Sequence, residues 1–273
     1  MVSGTALAGS SPAVQAIRAL MEKHRSILSR PATVDNFLLQ IGRETESHRF
    51  LANSTQAVYG RQVAFLAALL QEYTDTSANQ LKVLDWGCGK GHITYLLKAR
   101  RFDVVSCDIA LEKQDSSFGQ EVPIVQGKQI AVVPLHHPSA LPFGDASFDC
   151  VVSFGVLEHV QSDVASLHEI HRVLRPGGVF FVTFLPYFLS WTQAVCHLRG
   201  NDYHDRLYRV RRLRLSAATA GFQLAGYSHG QLFPKNSLPI SWDPFLEPLD
   251  RLLCRHTPLK YLATNLEALF VAV

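Results

Sequence analysis

The run VLDWGCGKG, Val83 to Gly91, joins a short apolar segment, an acid and three alternate glycines to the helical pattern HITYLLKAR that starts at His92. Glycine takes positive φ without steric cost, so such a turn brings backbone close to a ligand. The helix behind it offers its free amides to the same space. The spacing is G-x-G-x-G and an acid precedes it, which sets it apart from the G-x-G-x-x-G of dinucleotide sites. A glycine turn alone is a weak signal, and its neighbours must supply the weight.

Outward from this turn, short apolar runs alternate with helical patterns: Lys82 to Asp85, Asp103 to Cys107, Ile130 to Leu135, Phe148 to Phe154, Gly178 to Phe184, Phe222 to Ser228 and Ala268 to Val273. Helices are predicted at His92 to Arg100, Val164 to Val173 and Leu213 to Ala220. Strands separated by helices predict an α/β fold, a seven-stranded and mostly parallel sheet with helices on both faces. Residues 1–80 read as an N-terminal helical extension or cap, with Val14, Ile17, Leu20, Met21 and then Val63, Leu66, Leu69, Leu70 at helical intervals. Residues 81–273 read as the sheet domain. Two segments, 186–214 and 231–265, fall outside the alternation and follow strands at the edge where open α/β sheets bind ligands, so they are expected to be lids over a second substrate. In the second, Phe245, Leu246, Leu249, Leu252 and Leu253 share one helical face.

With 47% hydrophobic and 18% charged residues the chain can bury a core, and its formal charge of +3 is too mild to argue for nucleic acid. The one dense basic stretch holds Arg206, Arg209, Arg211, Arg212 and Arg214. It reads either as a solvated helix face or as a surface for a phosphate or a membrane headgroup, which leaves peripheral membrane contact open. Cys88, Cys107, Cys150, Cys196 and Cys254 lack metal or redox spacing and read as reduced residues. No run approaches the ~18 apolar residues of a membrane span, and the first residues lack signal-peptide character, so a cytoplasmic location is expected.

The second strand ends in Asp108, where a carboxylate can accept ribose hydroxyls. Further on come LPFGDASFDCVVSFGVLEHV (141–160) and HEIHRVLRPGGVFFVTF (168–184) in the order of later strands. Together these residues resemble the small class I methyltransferases, Rossmann-like enzymes that include the ubiquinone and menaquinone biosynthesis group. The resemblance runs from Leu81 to Phe184, with a weaker likeness in GFQLAGY (221–227). It implies S-adenosylmethionine as cofactor and S-adenosylhomocysteine as product. It also implies that Asp85 with the backbone of Gly87, Cys88 and Gly89 holds the methionine portion, Asp108 the ribose, and Ile109 the adenine side, with Phe154 a further cofactor contact.

Two departures from the family pattern stand out. Where an aspartate and a backbone amide usually meet the adenine, this chain has His137 and Pro138, and proline has no amide to donate. Either His137 stacks on or bonds the base, or the loop shifts so that Ser139 serves. A metal-dependent subset resembles E-x-x-E-H after the fourth strand; here Gly155 stands at the first carboxylate, ahead of Glu158 and His159, so no metal is expected.

Methyl transfer needs an aligned acceptor and, for a hydroxyl, a base, a task that suits histidine. His204, between two aspartates and beside Tyr203, and His159 after the fourth strand are the candidates. Tyr187, Phe188, Trp191, Phe233, Trp242 and Phe245 suggest a partly apolar pocket, and thus a small-molecule, lipid-linked or glycan acceptor methylated on oxygen or nitrogen. The competing readings are an RNA or protein methyltransferase docking through the arginines, and a cofactor-binding protein without catalysis.

Overall fold

The computed structural model describes residues 10–109, 122–137, 139–200 and 206–273. Its strands are Lys82–Trp86 (β1), Asp103–Ile109 (β2), Val132–Leu135 (β3), Phe148–Phe154 (β4), Leu174–Pro186 (β5), Phe222–Gly230 (β6) and Asn265–Ala272 (β7), paired in the order β3-β2-β1-β4-β5-β7-β6. β1 to β5 run parallel, and β7 lies antiparallel between β5 and β6. β1 buries Val83, Leu84, Asp85 and Trp86 in succession, as a central parallel strand covered on both faces must. The order reverses between β1 and β4, so the crevice beyond the carboxyl ends of these two strands is where such a sheet takes its ligand.

The helices are Pro12–His24 (α1), Asn36–Glu44 (α2), Ser54–Thr74 (α3), His92–Ala99 (α4), Pro123–Gly127 (α5), Asp163–Val173 (α6), Trp191–Leu198 (α7), Val210–Thr219 (α8) and Asp243–His256 (α9). α3 lays Phe65, Leu66, Leu69 and Leu70, spaced by three and four, on Val83, Val152, Val179 and Phe181. Val14 and Ile17 of α1 join the same cluster. α1 and α3 are therefore one layer of the sheet's own core. Opposite, Leu167 and Ile170 of α6 and Leu213 and Ala217 of α8 cover Leu84, Val151, Phe180 and Phe270. Local caps set the helix ends: Asp35 accepts from the Leu38 amide at 3.0 Å, and Ser162 accepts from that of Ala165 at 3.2 Å.

Four elements start more than one residue away from where the sequence reading puts them. β3 starts at Val132, because the Ile130 amide bonds Val125 O and closes α5, a helix the sequence pattern did not predict. β5 starts at Leu174, which pairs with Phe148; the Pro176–Gly177 step sits inside a register break, with Gly177 at φ +77. β7 begins at Asn265, and α8 begins at Val210.

α9 is inverted relative to an ordinary surface helix. Asp243, Glu247, Asp250 and Cys254 are buried, while Phe245, Leu249 and Leu252 are exposed. The cause is a buried charge network. Arg61 of α3 binds both Asp243 oxygens and reaches Glu247 at 3.1 Å, and Lys235 reaches Glu247 at 2.9 Å. Arg251 binds Glu247 at 2.8 Å and grips Glu267 of β7 through two nitrogens, at 2.8 and 3.0 Å. Asp250 accepts from the Leu232 and Phe233 amides. Four acids thus face three cations under α9, where each ion's desolvation is offset by several partners at once.

Candidate active site

β1 delivers the chain to the turn with Asp85 buried, its Oδ2 accepting from the Thr94 hydroxyl at 2.6 Å. Gly87, Gly89 and Gly91 take φ of +72, +48 and +74. The Gly87 and Cys88 amides turn back to Cys107 O at 2.9 and 3.0 Å, which ties the turn to the end of β2. A Cβ at Gly87 would lie 2.5 and 2.6 Å from the Val156 methyls, so glycine is required there by contact as well as by φ.

At the end of β2, Asp108 is half-buried and bridges the turn: one oxygen accepts from the Gly89 amide and the other from the Ile109 amide at 2.7 Å. Burial pushes Asp85 up to about 7, the charge of Asp108 adds to this, and the Thr94 bond opposes it. Burial also raises Asp108 above the ordinary carboxylate range. Two carboxylates held this way favour a ligand that brings positive charge, and S-adenosylmethionine, with its sulfonium and amine, fits that demand. Ile109 is exposed beside them. The Cys88 thiol is buried, and burial raises it far from the thiolate form, so it lines the turn without nucleophilic character.

The structure thus brings Asp85, Gly87, Cys88, Gly89, Asp108 and Ile109 to one turn. Phe154, at the end of β4, lies 6.1 Å from Tyr59 and 6.2 Å from Phe184 between ring centroids. His159 follows one turn later, its amide bonded to Val156 O, its ring half exposed and 3.9 Å from Glu158. Burial pushes Glu158 up to about 8, and its Oε2 has no hydrogen-bond partner. His137 is exposed beyond β3, and its Nδ1 accepts from the Ser139 amide at 3.1 Å. Pro138, Tyr203 and His204 lie outside the described residues. Trp242 and Phe245, expected in an acceptor pocket, instead face solvent, because the charge network turns the other side of α9 inward.

Sequence reasoning passed over a shell supplied by the N-terminal segment. Tyr59 of α3 stands 4.5 Å from His92 and 4.8 Å from Phe184, and Phe50 stands 5.3 Å from His92. Phe184 reaches this shell because the register of β5 breaks after Val182, leaving a phenylalanine at φ +61. That conformation costs about 1–2 kcal/mol, the kind of local strain found where a side chain is aimed at a site. Lys90, within the glycine turn, bonds Ser47 O and so fastens the 46–52 segment over the turn. His48 is held at about 4 and His92 at about 3, each chiefly by burial, and both stay neutral at pH 7. Neither nitrogen of His92, nor Nε2 of His48, has a hydrogen-bond partner. The signal for His92 lay in the sequence: the residue after the third glycine must stand at the mouth of the turn.

Residues 84–182 match the family model described as a methyltransferase domain. Over 157 residues the chain is 34% identical to a Mycolicibacterium smegmatis protein named as a probable S-adenosylmethionine-dependent methyltransferase, covering 54% of this chain and 55% of that one. It is 29% identical to the ubiquinone biosynthesis O-methyltransferase of Idiomarina loihiensis over 51% of this chain and 60% of that one. The chain spans about half the length of the curated relatives it matches. A solved S-adenosylmethionine-dependent methyltransferase from Archaeoglobus fulgidus shares the fold, with a TM-score of 0.50 at 15% identity over 77% of this chain and 94% of that one. Strand order, glycine turn and the family match over residues 84–182 together make this part of the sheet similar to the S-adenosylmethionine-dependent methyltransferase domains.

Proposed function

We propose that the chain transfers a methyl group from S-adenosylmethionine to a small-molecule acceptor, on oxygen or nitrogen, held between the ends of β4 and β5 and the N-terminal cover. The observation that carries this reading is the shell of Phe50, Tyr59, His92, Phe154 and Phe184, closed over the turn by the Lys90 tether. A covered cluster of rings beside the turn suits a small, partly apolar acceptor better than a polymer.

Asp85 and the Gly87–Gly89 backbone would hold the methionine portion, Asp108 the ribose, and Ile109, Phe154 and His137 the rest of the nucleoside side. The cofactor, when bound, supplies a methyl group already activated by its sulfonium. What remains for the protein is to align the acceptor atom and exclude water. The rings of the shell do the excluding. The neutral imidazole of His92 offers one donor and one acceptor to a hydroxyl or amine, and His159 stands at the rim to take a proton, a role for which His204 remains the other candidate.

Calorimetry with S-adenosylhomocysteine, then turnover on a panel of hydroxylated and amine-bearing aromatic acceptors, tests the reading. Binding should be lost by about 1–3 kcal/mol in Asp108→Ala with the fold intact. Folded protein that binds neither cofactor nor product would end the proposal. Cofactor binding with transfer only to RNA or protein would move the acceptor to the exposed arginines of α8.

A further inference from the structure

α9 and the turn after it carry an apolar surface that faces away from the protein. Trp242 is 55% exposed, Phe245 80%, Leu249 44% and Leu252 56%, spaced by three and four so that they form one stripe. Leu259, Tyr261 and Leu262, each between 41% and 47% exposed, continue it. Every acid between residues 241 and 262, namely Asp243, Glu247 and Asp250, is buried in the network beneath. The charges left outside are Arg255 and the half-buried Lys260, whose Nζ lies 5.1 Å from the Tyr261 ring centroid, with the exposed imidazole of His256 between them in sequence. Arg255 is shared with Glu22 of α1 at 2.8 Å.

We propose that this face docks in the plane of an anionic lipid bilayer interface. An in-plane helix needs an apolar stripe, aromatic residues with a polar edge and cations at its margin, and it must keep anions away from the headgroups. Here the segment's own anions are removed by burial, and Glu22 beside it is paired with both Arg255 and Arg25 at 2.8 Å, which leaves a net cationic margin to meet acidic lipid. Trp242 and Tyr261 place amphipathic rings at its two ends. A second copy of the chain fits worse, because a two-fold contact along the stripe would set Arg255, His256 and Lys260 of one copy near those of the other. No helix among the described residues is long and apolar enough to cross a membrane, so the contact is peripheral. The same segment is fastened to the start of α3, with the Ser54 amide and hydroxyl on Leu238 O and Pro239 O at 2.9 and 2.8 Å. Docking would therefore bring the cover of the active site to the lipid surface.

Flotation of the full chain with vesicles of phosphatidylcholine, with and without about one-third phosphatidylglycerol, tests this. The wild type should float with the anionic vesicles and lose at least about tenfold in bound fraction on the neutral ones. Phe245→Glu/Leu252→Glu should abolish flotation while S-adenosylhomocysteine binding and the thermal midpoint stay unchanged, since both positions are solvated. Should that variant misfold, the blue shift of tryptophan emission on adding anionic vesicles, present in wild type and lost in Trp242→Phe, decides instead. Wild type that stays unbound on both vesicle types overturns the proposal. So does equal binding to both, or a concentration-dependent dimer that the Phe245→Glu/Leu252→Glu variant dissolves.

Discussion

Gly87→Ala separates two costs that the structure places on one atom. The residue sits at φ +72, where a Cβ costs about 1–2 kcal/mol, and that Cβ would meet Val156 methyls at 2.5 and 2.6 Å. An overlap of this depth forces the 155–159 loop or the turn to shift, at about 1–3 kcal/mol. Together the substitution should destabilise by roughly 2–5 kcal/mol, a large part of the stability of an ordinary domain. Equilibrium urea unfolding of wild type, Gly87→Ala, Val156→Ala and the double variant measures the two parts. If the overlap is real, the double variant recovers about 1–3 kcal/mol relative to the sum of the singles, and the φ cost remains. Additivity to within about 0.5 kcal/mol would show that Val156 does not close on the turn, and the packing argument for the glycine would fall.

Two further outcomes follow from buried charge. Lys235→Met leaves Asp243, Glu247 and Asp250 with only the two arginines, and should cost about 3–5 kcal/mol in unfolding; a loss under about 1 kcal/mol would show that the network does not hold α9 down. The second concerns pH. Glu158 is raised in the fold to about 8 and Asp85 to about 7, so the native state binds more protons than the unfolded chain between the ordinary carboxylate pKa and those values, and stability falls as pH rises there. His48, His92 and His229 are lowered, to about 4, 3 and 4, and oppose this only below the ordinary histidine value of 6.5. Between pH 6.5 and 8 the acid effect stands alone, and Glu158→Gln should remove about 1–2 kcal/mol of the decline; an unchanged slope in urea titrations across that window would refute it.

That the cofactor candidates come together at one turn was legible because their grouping is local. Asp85 and three glycines follow one another along the chain, and Asp108 ends the next strand, whose register against β1 is fixed by pairing Asp85 with Ser106 and Trp86 with Cys107. Strand count and direction were legible for a similar reason, since buried parallel strands read as unbroken apolar runs. The other half of the site depends on long-range approach. Nothing in ESHRF (46–50) predicts that Phe50 and His48 come to the glycine turn, because the tether is a lysine nitrogen on a backbone carbonyl 43 positions away. The left-handed Phe184 likewise follows from a register break between β5 and β7, which a strand pattern does not encode.

α9 shows the limit most sharply. Helical periodicity establishes that Phe245, Leu249 and Leu252 share a face and that Asp243, Glu247 and Asp250 share the opposite one, but the pattern is the same whichever side meets the protein. Burial normally selects the apolar side, because an isolated buried acid is costly to desolvate. Here the choice is reversed by cations from elsewhere: Arg61 from α3, Lys235 from the preceding loop, and Arg251, which turns to Glu267 on β7. Three basic side chains beneath the helix make the acidic side the better partner. The apolar side is left outward as a consequence of that pairing, and this is why an apolar and aromatic stripe survives on the outside of the fold.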